Sequence, residues 1–116
     1  MKALAYVILC LAPLVMAGGG QSAHPVPGKV TLVYFWAAWC GPCKVLSPAL
    51  QQMADSDHNI ALKKINADEN TTEVQEQNIT ALPVVQVYNR GGSLVGTVVG
   101  ADVPTIKSYV AQAKGG

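Results

Sequence analysis

The fold of this chain is decided by the stretch Trp39-Cys40-Gly41-Pro42-Cys43-Lys44, which places two thiols two residues apart where an apolar strand ends and a helix begins. A helix start leaves backbone N–H groups unpaired and carries the positive end of the helix dipole, so it favours a thiolate over a thiol. We therefore predict that Cys40 is the nucleophile. Cys43, one turn further in, is predicted to attack the mixed disulfide that Cys40 forms and to release the partner.

Two other readings of this cysteine pair are weaker. A zinc half-site would need two more ligands at suitable spacing, but the only other cysteine is Cys10, near the N-terminus, and His24 and His58 stand alone in polar surroundings. A structural disulfide across two intervening residues closes too small a loop to stabilise the fold much. We therefore expect a redox role and no metal.

The residues around the cysteines resemble the active-site signature of thioredoxins, including the Gly-Pro dipeptide between them. The similar segments, in the family's order, are Tyr34 to Lys44, Pro48, Lys64-Ile65-Asn66-Ala67-Asp68, Thr80-Ala81-Leu82-Pro83 and Gly100. The resemblance spans about residues 29 to 114 and identifies the chain as a member of the thioredoxin family.

The resemblance also implies how the site is built. Pro83 is expected to follow a cis peptide bond beside the disulfide, and Gly100 to close the site from the other side. An apolar rim around the sulfurs would let an extended client segment pair with the backbone beside Leu82. The residues of this apolar rim are Trp39, Gly41, Pro42, Leu82, Pro83 and Gly100. Lys64 and Lys44 are candidates for lowering a thiol pKa, with a simply solvated side chain as the alternative for Lys44.

Tyr34 departs from the family, because thioredoxins carry at this position a buried aspartate that is taken to exchange a proton with the inner cysteine. A tyrosine with an ordinary pKa of about 10 is a poor base near neutral pH. One hypothesis is that deprotonation of Cys43 relies on water or on Lys64 and is slower. The alternative is that Tyr34 only packs the core.

Hydrophobic periodicity predicts an α/β domain with the element order βαβ-ββα. The predicted elements are strand Val30 to Trp36, a helix to about Ser56, strand Ile60 to Asn66, a short helix or turn over Asn70 to Gln77, strand Pro83 to Tyr88, strand Leu94 to Val99, and a last helix capped by Asp102 with Pro104 in its first turn. This is the minimal thioredoxin fold, without the usual first strand and helix, so strand Ile60 to Asn66 should lie near a sheet edge.

Each of the two long helices is expected to bury one apolar face. The first should bury Val45, Leu46, Ala49, Leu50, Met53 and Ala54, and the last Val103, Ile106, Val110 and Ala113.

The N-terminus has the pattern of a secretory signal peptide over residues 1–17. Lys2 precedes an apolar stretch from residue 3 to 17, and Val15 and Ala17 fit a Val-x-Ala cleavage site. The stretch is shorter than the roughly 20 residues of a spanning helix, although an uncleaved membrane anchor over residues 3–17 is the alternative. Residues 18–28 are predicted to be a flexible tether without packed structure, partly covering the sheet edge, and residues 29–116 the thioredoxin-like domain.

The expected function is a thiol-disulfide oxidoreductase that reduces protein disulfides outside the cytoplasm, in a bacterial periplasm. In that compartment the protein would receive its electrons from a membrane-bound donor. We expect the chain to need no cofactor and to work as a monomer. Alternatives are a disulfide oxidase or isomerase, and a redox-silent adaptor that binds a partner through its apolar rim. A length of 116 residues fits one domain. A net charge of +1 argues against a protein that binds nucleic acid electrostatically.

Overall fold

A computed structural model of the chain describes residues 22–115. Its elements are β1 (Val30–Trp36), α1 (Gly41–Ser56), β2 (Ile60–Asn66), α2 (Thr71–Glu76), β3 (Val84–Tyr88), β4 (Leu94–Val99) and α3 (Val103–Gly115). The predicted signal peptide, the alternative anchor and residues 18–21 of the predicted tether lie outside the described residues. None of the helices within residues 22–115 has both the length and the apolar character needed to cross a bilayer.

The strands form one mixed sheet in the order β2-β1-β3-β4. β1 pairs in parallel with β2 across the α1 connection, and the pairs β1/β3 and β3/β4 are antiparallel. The predicted order βαβ-ββα and the edge position of β2 are therefore confirmed. Between residue 22 and Val30 there is no helix or strand, so the described part of the chain has the minimal thioredoxin fold.

β1 forms the centre of the core because it is buried on both faces. Leu32 and Tyr34 point toward α1 and α3, and Val33 and Phe35 belong to the cluster on the other face. All four side chains have zero exposure. This is why the strand is an almost continuous apolar run, and it places the end of β1, where the cysteines follow, in the middle of the sheet.

The buried face of α1 is narrower than predicted. Leu46 and Leu50 are buried as expected, together with Cys43, but Val45 is 69% exposed, so its prediction was wrong. Successive residues of an α-helix are about 100° apart, and Leu46 rather than Val45 lies on the line from Cys43 to Leu50.

The last helix follows its prediction closely. α3 buries Ile106, Val110 and Ala113, while Val103 packs against the core from a partly buried position. Its start is capped as predicted, since the Asp102 carboxylate accepts a hydrogen bond of 3.2 Å from the Thr105 backbone N–H.

Part of the predicted tether is packed against the sheet. Ala23 is only 4% exposed and lies in the cluster of Val33 and Phe35, on the face that carries only the short α2. The His24 carbonyl accepts a 2.6 Å hydrogen bond from the Lys63 ammonium of edge strand β2. The expectation of an unpacked segment was therefore wrong at Ala23. The expected partial cover of β2 is seen at His24.

Gly96 of β4 provides a test of how tightly this core is packed. A Cβ at this position would lie 2.5 Å from Cζ of the Tyr109 ring on α3. Overpacking of this kind costs about 1–3 kcal/mol, so we expect Gly96→Ala to lower the melting temperature by at least about 4 °C, measured by circular dichroism. Gly115→Ala is the matched control, because a Cβ there would meet nothing within 4 Å. Equal melting temperatures for the two variants would contradict this picture of the β4–α3 contact.

Candidate active site

The two cysteines lie where the carboxyl end of β1 leads into α1. They form a disulfide, with 5.3 Å between their Cα atoms. Cys40 is the N-cap residue of α1, and its sulfur accepts a 3.3 Å hydrogen bond from the Cys43 backbone N–H. The predicted placement of a sulfur at a helix start is thus confirmed, and an N–H group that would stabilise a Cys40 thiolate is already directed at it.

Exposure does not distinguish the two cysteines in this disulfide form. Cys40 is 4% exposed and Cys43 is 2% exposed, although the sequence predicted that Cys40 would lie at the mouth of the turn. The exposed residues of the turn are Gly41 and Pro42. The two cysteines differ in their contacts. Cys40 caps the start of α1, whereas the Cys43 carbonyl accepts a hydrogen bond from a core residue, Tyr34.

Trp39 is an exposed part of the predicted rim. Its side chain is 69% exposed, and its indole N–H donates a 2.9 Å hydrogen bond to the Asp68 carboxylate. Trp39 and Leu82 line one shallow groove of about 260 Å³, whose other walls are Ala67, Asp68, Val74, Ile79, Thr80 and Ala81. The groove therefore brings together rim residues that are far apart in sequence. Asp68 was recognised only as part of a similar segment, and its contact with Trp39 was not foreseen.

The loop before β3 has the predicted cis peptide bond, between Leu82 and Pro83. Pro83 itself is buried, whereas Leu82 is partly exposed. The Pro83 carbonyl accepts a 2.9 Å hydrogen bond from the Gly100 N–H. Gly100 has φ of +101°, a conformation that L side chains rarely adopt, which explains glycine there. This hydrogen bond places Gly100 next to the cis-proline loop, and its role in closing the site stays a prediction.

Tyr34 reaches from β1 to the first turns of α1. Its hydroxyl donates a 3.0 Å hydrogen bond to the Cys43 carbonyl and lies 2.7 Å from the Ser47 hydroxyl. Burial raises the pKa of Tyr34 above its ordinary 10.0, while the hydrogen bond to Ser47 partly opposes the rise. Tyr34 is therefore a neutral donor at physiological pH. Sequence reasoning missed Ser47, although Cys43 and Ser47 are spaced to share one helix face.

The two candidate lysines differ in their surroundings. Lys64 is exposed, and its ammonium donates a 3.2 Å hydrogen bond to the Gln51 side chain of α1. Lys44 is also exposed and lines a cavity of about 350 Å³ with Trp36, Cys43 and Ser47. A supporting role of Lys64 at Cys43 stays a prediction. Across residues 22–115, no three His, Cys, Asp or Glu side chains come together in a group that could hold a metal ion.

The raised pKa of Tyr34 predicts how stability depends on alkaline pH. A group with a folded-state pKa above its unfolded value stabilises the fold below the unfolded pKa, and this contribution is lost as pH rises through the folded pKa. Burial also raises the pKa of Tyr88. We expect the free energy of unfolding, measured with urea, to fall above about pH 10, and to fall less in Tyr34→Phe and least in Tyr34→Phe/Tyr88→Phe. An alkaline slope in Tyr34→Phe as steep as in the wild type would contradict this.

Comparison with known proteins agrees with this geometry. The family model described as Thioredoxin matches residues 23–112. Mitochondrial thioredoxin-2 of Schizosaccharomyces pombe is 38% identical over 84 residues, which cover 72% of this chain and 62% of that protein, less than two thirds of its length. The thioredoxin of Malassezia sympodialis is 35% identical over 86 residues, covering 72% of this chain and 81% of that protein.

Solved structures show the same fold. The crystal structure of Fasciola hepatica thioredoxin superposes with a TM-score of 0.70 at 25% identity, covering 76% of this chain and 84% of that one. The Malassezia sympodialis thioredoxin structure has a TM-score of 0.66 at 32% identity, covering 75% and 76% of the two chains. The matched region contains the cysteine pair, the cis-proline loop and Gly100, and the chain belongs to the thioredoxin family.

Proposed function

We propose that this protein is a thiol-disulfide oxidoreductase that reduces disulfides in other proteins. The observation that carries the proposal is the Cys40–Cys43 disulfide at the start of α1, where the Cys40 sulfur accepts the backbone N–H of Cys43. A sulfur in this position is a good nucleophile as a thiolate and a good leaving group in a disulfide, because both roles benefit from a stabilised negative charge.

The reaction takes place in two exchanges. The Cys40 thiolate attacks one sulfur of the client disulfide, a mixed disulfide forms, and the other client sulfur leaves as a thiolate. The Cys43 thiolate then attacks the Cys40 sulfur, which closes the Cys40–Cys43 bond and expels the second client thiolate. The client gains two electrons and the protein loses two, so each turnover requires a dithiol donor to reduce the pair again.

The groove between Trp39 and Leu82 supports the choice of a protein client. It is shallow and open, and Trp39 offers a 69% exposed indole whose orientation is fixed by Asp68. An extended peptide can place apolar side chains against this surface while its backbone pairs beside Leu82. A shallow groove with an aromatic wall suits a polypeptide better than a small molecule, which is usually enclosed.

The proposed compartment is outside the cytoplasm, in a bacterial periplasm, with electrons supplied by a membrane-bound dithiol donor. Support comes from the signal-peptide pattern of residues 1–17 and from the Gly41-Pro42 dipeptide, which is similar to that of reducing thioredoxins. Expressing the full chain in bacteria, separating periplasm, membranes and cytoplasm, and analysing the protein in each fraction by mass spectrometry tests this. A mature N-terminus near Gly18 supports export with cleavage, an intact Met1 in the membrane fraction points to the anchor, and an intact soluble cytoplasmic chain contradicts export.

Direction is tested by running the exchange both ways. With dithiothreitol as electron source, catalytic amounts of the protein should speed the reduction of insulin disulfides. The disulfide form should be a poor oxidant of a reduced, unfolded protein. Faster oxidation than reduction would instead favour an oxidase or isomerase, and catalysis in neither direction would contradict the proposed function.

A further inference from the structure

Two hydroxyl groups meet on the core side of the first turns of α1: that of Tyr34 from β1 and that of Ser47 from α1 itself. We propose that Tyr34 and Ser47 are positioning residues for the second exchange, in which Cys43 attacks the mixed disulfide on Cys40. The inference rests on the exchange chemistry proposed above. It assigns to this pair the task of holding the Cys43 backbone in place while the disulfide is open.

The direction of the hydrogen bonds follows from the number of protons available. A phenol carries one proton, and the Tyr34 hydroxyl uses it toward the Cys43 carbonyl at 3.0 Å. The 2.7 Å contact with Ser47 must then be donated by Ser47. The result is a directional chain from the Ser47 hydroxyl through Tyr34 to the Cys43 backbone, in which each proton has a partner.

The first turn of α1 has a specific need for such an anchor. Pro48 lies inside α1, and proline has no N–H with which to bond the carbonyl four residues earlier, that of Lys44. The turn that carries Cys43 therefore lacks one of its backbone hydrogen bonds to the rest of the helix. The Tyr34 hydroxyl attaches this turn to β1 at the carbonyl just before that of Lys44.

The anchoring hydroxyl comes from the buried core and not from the turn that the disulfide closes. Tyr34 is fully buried in the central strand, so its ring has little freedom to move, and its hydroxyl stays protonated because burial raises its pKa. When reduction opens the Cys40–Cys43 bond, the turn loses its covalent restraint but keeps this hydrogen bond. A held Cys43 attacks faster, because intramolecular attack depends strongly on a fixed orientation of the reacting atoms.

Ser47 also lies at the same surface cavity as Cys43. Ser47 and Cys43 line the same cavity of about 350 Å³ with Trp36, Ala37 and Ala38, and the charged side chain on its lining is Lys44. Lys64 from β2 donates to Gln51, and Asp68 accepts from Trp39. The neutral Tyr34 hydroxyl thus hydrogen-bonds the Cys43 carbonyl, and the neutral Ser47 hydroxyl hydrogen-bonds Tyr34.

The two exchanges can be measured separately with an aromatic disulfide, dithiobis(nitrobenzoate). Each exchange releases from this reagent a thiolate that is coloured. The reduced protein releases one coloured thiolate when Cys40 attacks and a second when Cys43 closes the disulfide. The first release depends on reagent concentration and the second does not, so stopped-flow traces give both rates. We expect Tyr34→Phe and Ser47→Ala each to slow the second release by about 3- to 10-fold and to change the first by less than about twofold.

Matched variants distinguish positioning from a general loss of stability. Tyr88→Phe also removes a tyrosine hydroxyl, one that donates to Gln86 at 3.1 Å on the other sheet face, and it should leave both releases unchanged. Ser47→Thr keeps a hydroxyl and should restore the second release to within about twofold of the wild type.

Two results would overturn the inference. One is an unchanged second release in both Tyr34→Phe and Ser47→Ala, and the other is an equal slowing of both releases, which marks a merely structural role. Because the reagent is a small molecule, these rates are measured whether or not the protein reduces insulin. Failure of the proposed function and failure of this inference are therefore seen separately.

Discussion

Cys40→Ser is expected to lower the rate of insulin disulfide reduction by at least about 1,000-fold, to the rate of the uncatalysed reaction. The thiolate is the nucleophile in disulfide exchange, and a serine hydroxyl is not ionised at neutral pH and cannot form the S–S bond of the mixed disulfide. The loss comes from chemistry rather than from folding, because Cys40 is small and serine is a favoured N-cap residue that can accept the same Cys43 N–H.

Two controls make the Cys40→Ser result decisive. The melting temperature of Cys40→Ser should match that of the reduced wild type, which excludes a folding defect. Cys40→Ser/Cys43→Ser should behave like the single variant in the insulin assay. If the double variant still supports the protein's role in cells, the redox-silent adaptor replaces the enzyme. More than about a tenth of wild-type turnover in Cys40→Ser would contradict the assignment of the nucleophile.

Cys43→Ser is expected to stop the reaction after the first exchange. Cys40 can still attack a client disulfide, but the group that closes the Cys40–Cys43 bond is absent, so the mixed disulfide accumulates. Mass spectrometry should show nearly one client per protein, linked through Cys40, and removed by dithiothreitol. With the aromatic disulfide, the first coloured thiolate should be released and the second should not.

The order of the two cysteines is tested by the reverse substitution. Both cysteines are buried in the disulfide form, at 4% and 2% residue exposure, so exposure alone does not decide which one attacks first. Trapping of a client on Cys43 by Cys40→Ser, with none on Cys40 in Cys43→Ser, would reverse the roles. The contacts favour the stated order, because Cys40 receives a backbone N–H and the Cys43 turn is attached to Tyr34.

Much of the fold follows from local patterns in the sequence. β1 is a continuous apolar run because both of its faces are covered, and its bounds match the prediction at both ends. Asp102 predicts the start of α3 because its side chain can accept the Thr105 N–H. The cis bond at Pro83 was expected only from the resemblance to thioredoxins, since few X-Pro bonds in folded proteins are cis.

The wrong and missing predictions concern features that depend on residues distant in the sequence. Val45 was predicted to be buried because it was grouped with Leu46 and Leu50 on one apolar helix face, and the edge of such a face is hard to locate without knowing what covers the helix. The burial of Ala23 depends on a sheet face that carries only the short α2, which the composition of residues 18–28 does not reveal. The contact between Trp39 and Asp68 joins residues 29 positions apart. Nothing in the sequence around Ser47 indicates its contact with the Tyr34 hydroxyl, which exists only once β1 packs against α1.

The reduction potential of the Cys40–Cys43 pair tests the reductase assignment most directly. Purified protein is equilibrated with glutathione buffers of known composition, and the dithiol fraction is counted by thiol alkylation and mass spectrometry. A disulfide reductase should have a potential of about −250 mV or lower, close to that of thioredoxin. A value above about −180 mV, in the range of isomerases and oxidases, would contradict the assignment.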